Sequence, residues 1–425
     1  MKRVKITALL LILLVLLTSC NMTSFDTAAL LTAPLMNPAD QEMRKAISDA
    51  VGGTYELVNP ESGNHQTAIT PIDILGDEAN ESFCLYKSGT ENYVNFVVLQ
   101  NQNGKWRSIG LNKSQAMGVD RISFCDLTND GNKEIIVGWQ YQKGEENAIE
   151  VFSLTNDGKV KSEYKGMYND FITFNNSLAV ISKNSAAKTA SATLISSREN
   201  AVTALSTVSL NSSITAFLKI QTSVLNNSLL LIYLDEQLES LAYTTELLVL
   251  STKEDPSISV VNLEGTTMRT KEHTCIDADD DGILDIPIEK RFEAYMRNGA
   301  EEYLSYVDWY KITENTPKLI KSTYSSLNEP FYIELKNEWI DRITVEKDET
   351  NDRMIHFYTL DGKKPMFSIR VFLRQEYNDS SEKDTWTEIA ASGENVYTYK
   401  QDGPELDRTF YTDIETIKEL FVVLS

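Results

Sequence analysis

The chain has 425 residues, 42% of them hydrophobic, and 62 Asp and Glu against 40 Lys and Arg, for a formal net charge of −22. So acidic a surface repels nucleic-acid phosphates and anionic headgroups, which argues against a nucleic-acid partner and favours cations. The apolar fraction suffices for a real core, and the length is that of two or three domains.

Lys2, Arg3 and Lys5 precede an apolar run over 6–17, the charged and hydrophobic regions of a secretory signal. The run is short of the roughly 20 apolar residues that span a bilayer. It ends in Leu17-Thr18-Ser19-Cys20. This resembles the bacterial lipobox, which implies cleavage after residue 19 and fatty acylation (palmitate-type chains) of Cys20; an ordinary signal peptide with an incidental Cys is the alternative. Two acyl chains hold a protein on a membrane stably. Removing 1–19 takes away three positive charges, so the mature chain has 425 − 19 = 406 residues and a charge of −22 − 3 = −25.

Residues 20–37 form a small, polar tether. A helix over 38–53 follows: Pro38 suits a first helical turn, Met43, Ala46, Ile47, Ala50 and Val51 make one apolar face, and Gly52-Gly53 stops it. Its apolar face is expected to pack on the next domain.

An acidic turn then recurs. The stretch from Asp126 to Gly138 reads Asp-Leu-Thr-Asn-Asp-Gly-Asn-Lys-Glu-Ile-Ile-Val-Gly, and a second copy begins at Asp277. Side-chain oxygens fall at loop positions one, three, five and nine: Asp126, Thr128, Asp130 and Glu134, then Asp277, Asp279, Asp281 and Asp285. Gly131 and Gly282 at position six permit the sharp turn, and the carbonyls of Asn132 and Ile283 stand at position seven. Hard oxygens in a flexible loop suit Ca²⁺, which takes about 6–8 of them, better than Mg²⁺. An EF-hand needs Glu at position twelve, where this chain has Val137 and Ile288. The β-branched run Ile135-Ile136-Val137 favours a strand. The alternative is an Asp/Gly-rich turn without metal.

Asp73, Asp77 and Glu81 form a degenerate copy in which Leu75 replaces the third ligand and Glu78 the glycine, so metal loss is expected there. The copies are spaced 126 − 73 = 53 and 277 − 126 = 151, close to three periods of about 50. Two carboxylate-free units fill the gap: Asn175-Asn-Ser-Leu-Ala-Val-Ile181 and Asn226-Asn-Ser-Leu-Leu-Leu-Ile232, 51 apart. Five units over 54–315 follow, and such a period signals a propeller or solenoid; unrelated hairpins in a β sandwich are the alternative. The Ser/Thr/Ala-rich stretch 183–213 reads as exposed loops and edge strands.

From about 320 the pattern changes. Strands are expected over 331–335, 343–346, 354–359 and 366–373, with a hairpin turn at Asp361-Gly362. Thr412-Asp-Ile-Glu415 reads as a capping box before a final helix carrying Ile417, Leu420 and Phe421. The fold class is therefore mainly β: a β-propeller-like array of about five units, a short N-terminal helix and a small C-terminal α+β domain over 320–425.

The loops resemble those of FG-GAP or VCBS repeats, the strand–loop–strand units of integrin-type propellers, and the whole order resembles FG-GAP/VCBS-repeat lipoproteins of clostridial-type bacteria. The resemblance implies structural calcium and a place on the extracytoplasmic face of the cell membrane, held through Cys20. It supplies no substrate or reaction.

Cys84, Cys125 and Cys275 read as buried thiols, an odd number that argues against a disulfide framework; a Cys125–Cys275 bond is the alternative. No nucleophile elbow, zinc-protease helix or phosphate loop is present, so the reading leans away from an enzyme. A glycosidase needs only two carboxylates, with Glu289 and Asp308 as nominal candidates, and Trp106, Trp139, Trp309 and Trp386 as sugar-stacking candidates or core residues. The expected role is ligand binding or envelope assembly, with an envelope protein or glycan as partner. A carbohydrate-active enzyme and a structural spacer are the alternatives.

Overall fold

The computed structural model describes residues 38–424 apart from 90, 143–145, 156, 264–266, 299–303, 314–315, 327–328 and 404–405. Residues 1–37, where a signal sequence, a tether and the acylated Cys20 are expected, lie outside the described residues.

Helix α1 (Pro38–Val51) opens the described chain and ends at Gly52 and Gly53, whose φ of 78° and 155° no other residue adopts easily. Six antiparallel sheets follow in chain order. The first holds β1 (Tyr55–Leu57), β2 (Ile69–Ile72), β3 (Glu81–Ser88), β4 (Val94–Gln102) and β5 (Lys105–Asn112). The second holds β6 (Gly118–Cys125), β7 (Glu134–Gln140), β8 (Ala148–Leu154) and β9 (Val160–Met167). The third holds β10 (Asp170–Phe174), β11 (Ser177–Asn184), β12 (Thr189–Arg198) and β13 (Ala201–Ser209). The fourth holds β14 (Ile214–Asn226), β15 (Leu229–Leu238), β16 (Tyr243–Ser251) and β17 (Ser257–Val261). The fifth runs from β18 (Ile286–Arg291) through β19 (Ser305–Thr313) and β20 (Thr316–Ser326) to β21 (Phe331–Leu335). Residue 320, where the sequence pattern changes, thus lies within β20.

The sixth sheet has the order β22 (Ile343–Lys347), β23 (Met354–Thr359), β24 (Pro365–Leu373), β26 (Asn395–Gln401), β25 (Thr387–Ser392). With the short helices α3 (Arg374–Asp379) and α4 (Ile414–Leu420) it makes the C-terminal α+β unit. Another short helix, α2 (Glu293–Asn298), interrupts the fifth sheet between β18 and β19. The architecture is the expected one: mainly β, propeller-like, five repeated sheets, a helix before them and a small α+β unit after them.

Side-chain alternation along the strands explains the stacking. Successive residues of a strand face opposite ways, and in inner strands such as β3, β4, β7 and β15 both faces are buried. Phe83, Leu85 and Phe96 of the first sheet meet Ile135, Val137 and Trp139 of the second. Ile136, Ile149 and Val151, on the second sheet's other face, meet Leu178, Val180 and Ile195 of the third. Ala179, Ile181 and Leu194 then meet Leu230, Ile232 and Leu248, and Leu231, Tyr233 and Leu247 meet Ile286 and Ile312. Tyr324 and Ile333 of the fifth sheet meet Val345, Phe357 and Ile369 of the sixth. Strands covered on both sides read as near-continuous apolar runs, as over 229–234 of β15.

Two details depart from the sequence reading. The stretch 183–213 is not mainly loop and edge: β12 lies between β11 and β13, with Ala192, Leu194 and Ile195 fully buried. Its hydroxyls pair across strands, Ser182 with Ser191 and Thr193 with Thr207, each at 3.1 Å. At the C-terminus the cap is Asp413, which accepts from the Thr416 amide at 2.9 Å. Phe421 leaves the helix to begin β27 (Phe421–Val423), which pairs with β21 and ties the chain end back to the fifth sheet.

Candidate metal centre

Each of the five recurring turns stands near the start of its unit, ahead of β3, β7, β11, β15 or β18. Asp73 lies between β2 and β3, Asp126 between β6 and β7, Asn175 between β10 and β11, and Asn226 at the β14–β15 turn. Asp277 precedes β18, and the bridge Ile276–Asp285 supplies the missing first strand of the fifth sheet. The turns touch one another in sequence. The Lys133 amide donates to the Ile74 carbonyl at 2.7 Å. Asn176 Nδ2 donates to the Asp126 carbonyl at 2.7 Å and Asn175 Nδ2 to the Asn227 carbonyl at 2.8 Å. The Leu284 amide donates to Ser223 Oγ at 3.0 Å. The result is a continuous row of turns along one edge of the array.

The three acidic loops share one hydrogen-bond plan. The position-one carboxylate accepts the amides of positions five and six: Asp77 and Glu78 for Asp73, Asp130 and Gly131 for Asp126, Asp281 and Gly282 for Asp277. Position five accepts the amide of position seven: Ala79 for Asp77, Asn132 for Asp130 and Ile283 for Asp281. Position nine reaches back to the amide of position two: Glu81 to Ile74 at 2.9 Å, Glu134 to Leu127 at 2.7 Å and Asp285 to Ala278 at 2.9 Å. Left-handed backbone falls at position four (Gly76, Asn129, Asp280) and position six (Glu78, Gly131, Gly282), with φ from 58° to 93°. Asn, Asp and Gly tolerate that region. The need at position four was not read from the sequence, although the residue types there signal it.

In the fifth-unit loop, Asp277, Asp279 and Asp285 bring one carboxylate oxygen each to within 4.8 Å of one another. Asp281 turns instead to Lys311 on β19, at 2.5 Å, and the same ammonium holds both oxygens of Asp279 at 2.7 and 2.8 Å. Burial works against the Lys311 charge, and the hydrogen bonds it donates to Asp279 and Asp281, with the surrounding negative charge, more than offset it, raising its pKa. Asp285 is fully buried, and its Oδ1 has no hydrogen-bond partner. Burial pushes its pKa up to about 6, against the Ala278 amide and Lys311. An orphaned carboxylate oxygen beside two further carboxylates is part of the oxygen set that a hard cation takes. In the second-unit loop, Glu134 is 3% exposed and its pKa is pushed up to about 7, by burial first. Thr128 Oγ1 donates to its Oε1 at 3.5 Å. Asp126, Thr128, Asp130 and Asn132 complete that loop. Glu81 keeps the same plan in the degenerate loop, with its Oε1 buried and unpartnered.

The residues nominated for catalysis do not assemble. Ile288 stands opposite Asp308 in the β18–β19 register, so Asp308 and Glu289 face opposite sides of the sheet. Glu289 accepts the Thr270 amide and lines a cleft of about 530 Å³ with Ile286, Ile288 and Tyr310. Asp308 accepts from Ser322 Oγ at 2.5 Å. Trp139, Trp309 and Trp386 are buried, and Trp106 packs beside α1, so these rings serve the core. A Ser–His–Asp set with no counterpart in the sequence motifs joins Asp348 and His356 Nε2 at 2.9 Å, His356 Nδ1 and Ser368 Oγ at 2.5 Å. Ser368 is 1% exposed and donates to Asp402, which leaves it no access to a substrate. Cys84, Cys125 and Cys275 are free and buried.

No family model matches the chain, and no curated protein matches it in sequence. Among solved structures it is similar to a protein from Lactobacillus plantarum, at 11% identity and a TM-score of 0.30, over 72% of this chain and 84% of that one. It is also similar to the N-terminal domain of Nup159, at 9% identity and a TM-score of 0.27, over 70% and 74%. A chain of the S. cerevisiae Dbp5–Nup159–Gle1 complex with IP6 and ADP gives 13% identity and a TM-score of 0.27, over 81% and 93%. Likenesses of this size carry no argument about function.

Proposed function

We propose that the protein is an FG-GAP/VCBS-type envelope protein, lipid-anchored through Cys20 on the extracytoplasmic face of the membrane, whose acidic loops bind Ca²⁺. It acts in ligand binding or envelope assembly, toward an envelope protein or a glycan. The observation that carries the calcium reading is the buried, unpartnered Asp285 Oδ1 beside Asp277 and Asp279. Asp277, Asp279, Asp281, Asp285 and the Ile283 carbonyl are the ligands of the fifth-unit site. Asp126, Thr128, Asp130, Glu134 and the Asn132 carbonyl are those of the second. The row of loop contacts gives the ion a structural role, since it would hold neighbouring sheets in register. The carbohydrate-active alternative has less support, because Glu289 and Asp308 lie on opposite faces.

Thermal melting of chelator-treated protein with added CaCl2 tests this. A ligand that binds the native state alone adds about 2.7 kcal/mol at a hundredfold excess over Kd, so the melting temperature should rise. Asp277→Ala with Asp281→Ala should remove much of the rise, and Asp126→Ala with Asp130→Ala a smaller part. A melting temperature indifferent to calcium and chelator would leave the loops as acidic turns. Loss of fatty-acid labelling in Cys20→Ala checks the anchor, and equal labelling of both forms would refute it.

A further inference from the structure

Lys311 is foreign to the loop pattern. It comes from β19, its side chain is 7% exposed, and its ammonium is hydrogen-bonded to both oxygens of Asp279 and ion-paired to Asp281. Those two carboxylates are also ligands that a divalent ion would use. Ammonium and metal therefore want the same oxygens, and both positive charges at the site at once would repel each other at short range. Asp285 Oδ1, buried and without a partner, is left for a second cation. Among the described ion pairs, none engages Asp126, Asp130 or Glu134 in the second-unit loop.

We infer that Lys311 is the tethered counter-ion of the fifth-unit loop and a built-in competitor for its metal. A divalent ion must displace the ammonium from Asp279 and Asp281 to complete its shell, so this loop binds more weakly than its four carboxylates imply. When the ion is absent, Lys311 screens the carboxylates and keeps the loop folded. The inference rests on the calcium reading above and concerns its regulation. It makes the fifth-unit loop a site that fills only at high calcium, such as outside the cell, and does not collapse when calcium falls.

The test is calorimetric titration of the full chain with CaCl2. Asp126→Ala and Asp130→Ala are present throughout, so that the fifth-unit loop alone reports. Lys311→Met keeps the length and removes the charge; it should tighten binding about tenfold or more, where tenfold equals about 1.4 kcal/mol. Lys311→Arg keeps the charge and should leave affinity near that of Lys311. In chelator the Met form should melt below the Lys form, and saturating calcium should close the gap. Equal affinity in the Lys and Met forms would overturn the competition and leave the calcium reading standing. No binding in either form would remove both. Should Lys311→Met fold only with calcium, that too supports the inference. If Lys311→Met and a second neutral variant, Lys311→Gln, both fail to fold even in saturating calcium, the metal cannot replace the ammonium and the inference fails.

Discussion

Loop position nine shows what single residues do here and how far the sequence discloses it. Glu81, Glu134 and Asp285 are all buried, and each accepts an amide from position two, so each closes its loop with or without a metal. The spacing of acids pointed to these residues. It could not point to Lys311, which is 32 positions from Asp279 in the chain and reaches it only through the fold. Nor did it mark Glu236, fully buried on β15 beside the carboxyl of Glu246, with no amide or hydroxyl donor to either oxygen. Burial, and then Glu246, push Glu236 up to about 10. The folded pKa stands above the unfolded one, so the folded state holds a proton that the unfolded chain gives up. The stability from this proton is complete below about pH 4.3, the reference carboxyl value, and is lost as pH rises toward the folded pKa. Glu236→Gln removes the dependence. Urea unfolding of the two forms at several pH values should show the Gln form gaining on the parent as pH rises above the reference carboxyl value, with a limiting slope of about 1.4 kcal/mol per pH unit. Parallel stability profiles would mean that no such proton is held.

At the scale of elements, the period of about 50 residues was legible because each unit begins with a turn and an apolar strand, even in the units that lack acids. The contacts between turns were not, because they join residues about 50 apart. Gly76 stands at one of them. A Cβ there would lie 2.2 Å from the Gly131 carbonyl oxygen of the next loop, while a Cβ at Gly131 would meet nothing within 4 Å. Both have positive φ, at 65° and 93°, so both substitutions are strained, and the difference between them isolates the loop–loop contact. Gly131→Ala should cost about 1 kcal/mol from backbone strain. Gly76→Ala should cost roughly 1–3 kcal/mol more, as overpacked sites do. Chemical denaturation measures both, and equal losses would mean the two loops do not lean on each other. Elsewhere the sequence failed for a local reason. Small residues over 183–213 suggested exposure, yet Ala and Ser let β12 pack between neighbours with its hydroxyls paired. Thr387–Ser392 escaped notice because β25 is largely exposed, and Asn395–Gln401 because its buried residues alternate Tyr with Thr rather than forming an aliphatic run.

Across the whole molecule, the apolar clusters form a chain. It runs from α1 through the first sheet to the sixth, and among the described residues no cluster joins the sixth sheet to the first. A stacked array needs its terminal faces covered, because each sheet buries side chains on both sides. The first sheet's outer face is covered by α1: Ile47, fully buried, sits over Cys84, Tyr86, Val97 and Leu99. The helix was legible from its single apolar face, but the face it covers was not, since a strand buried on both sides carries no polar side to point outward. The arrangement makes α1 a lid on a thiol. Cys84 is 0% exposed and its pKa is pushed up to about 12 by burial, so it should be inert to thiol reagents while α1 is docked. Ile47→Asp places a charge in that contact, where an unpaired buried charge costs about 3–5 kcal/mol, enough to undock a 14-residue helix held by one face. In a chain with Cys20 replaced by Ser, Cys84 should then label rapidly while Cys125 and Cys275 stay protected, and the bared sheet face should self-associate in sedimentation. If all three cysteines label together, the helix is part of one cooperative core rather than a lid. If Cys84 stays protected, something other than α1 covers it.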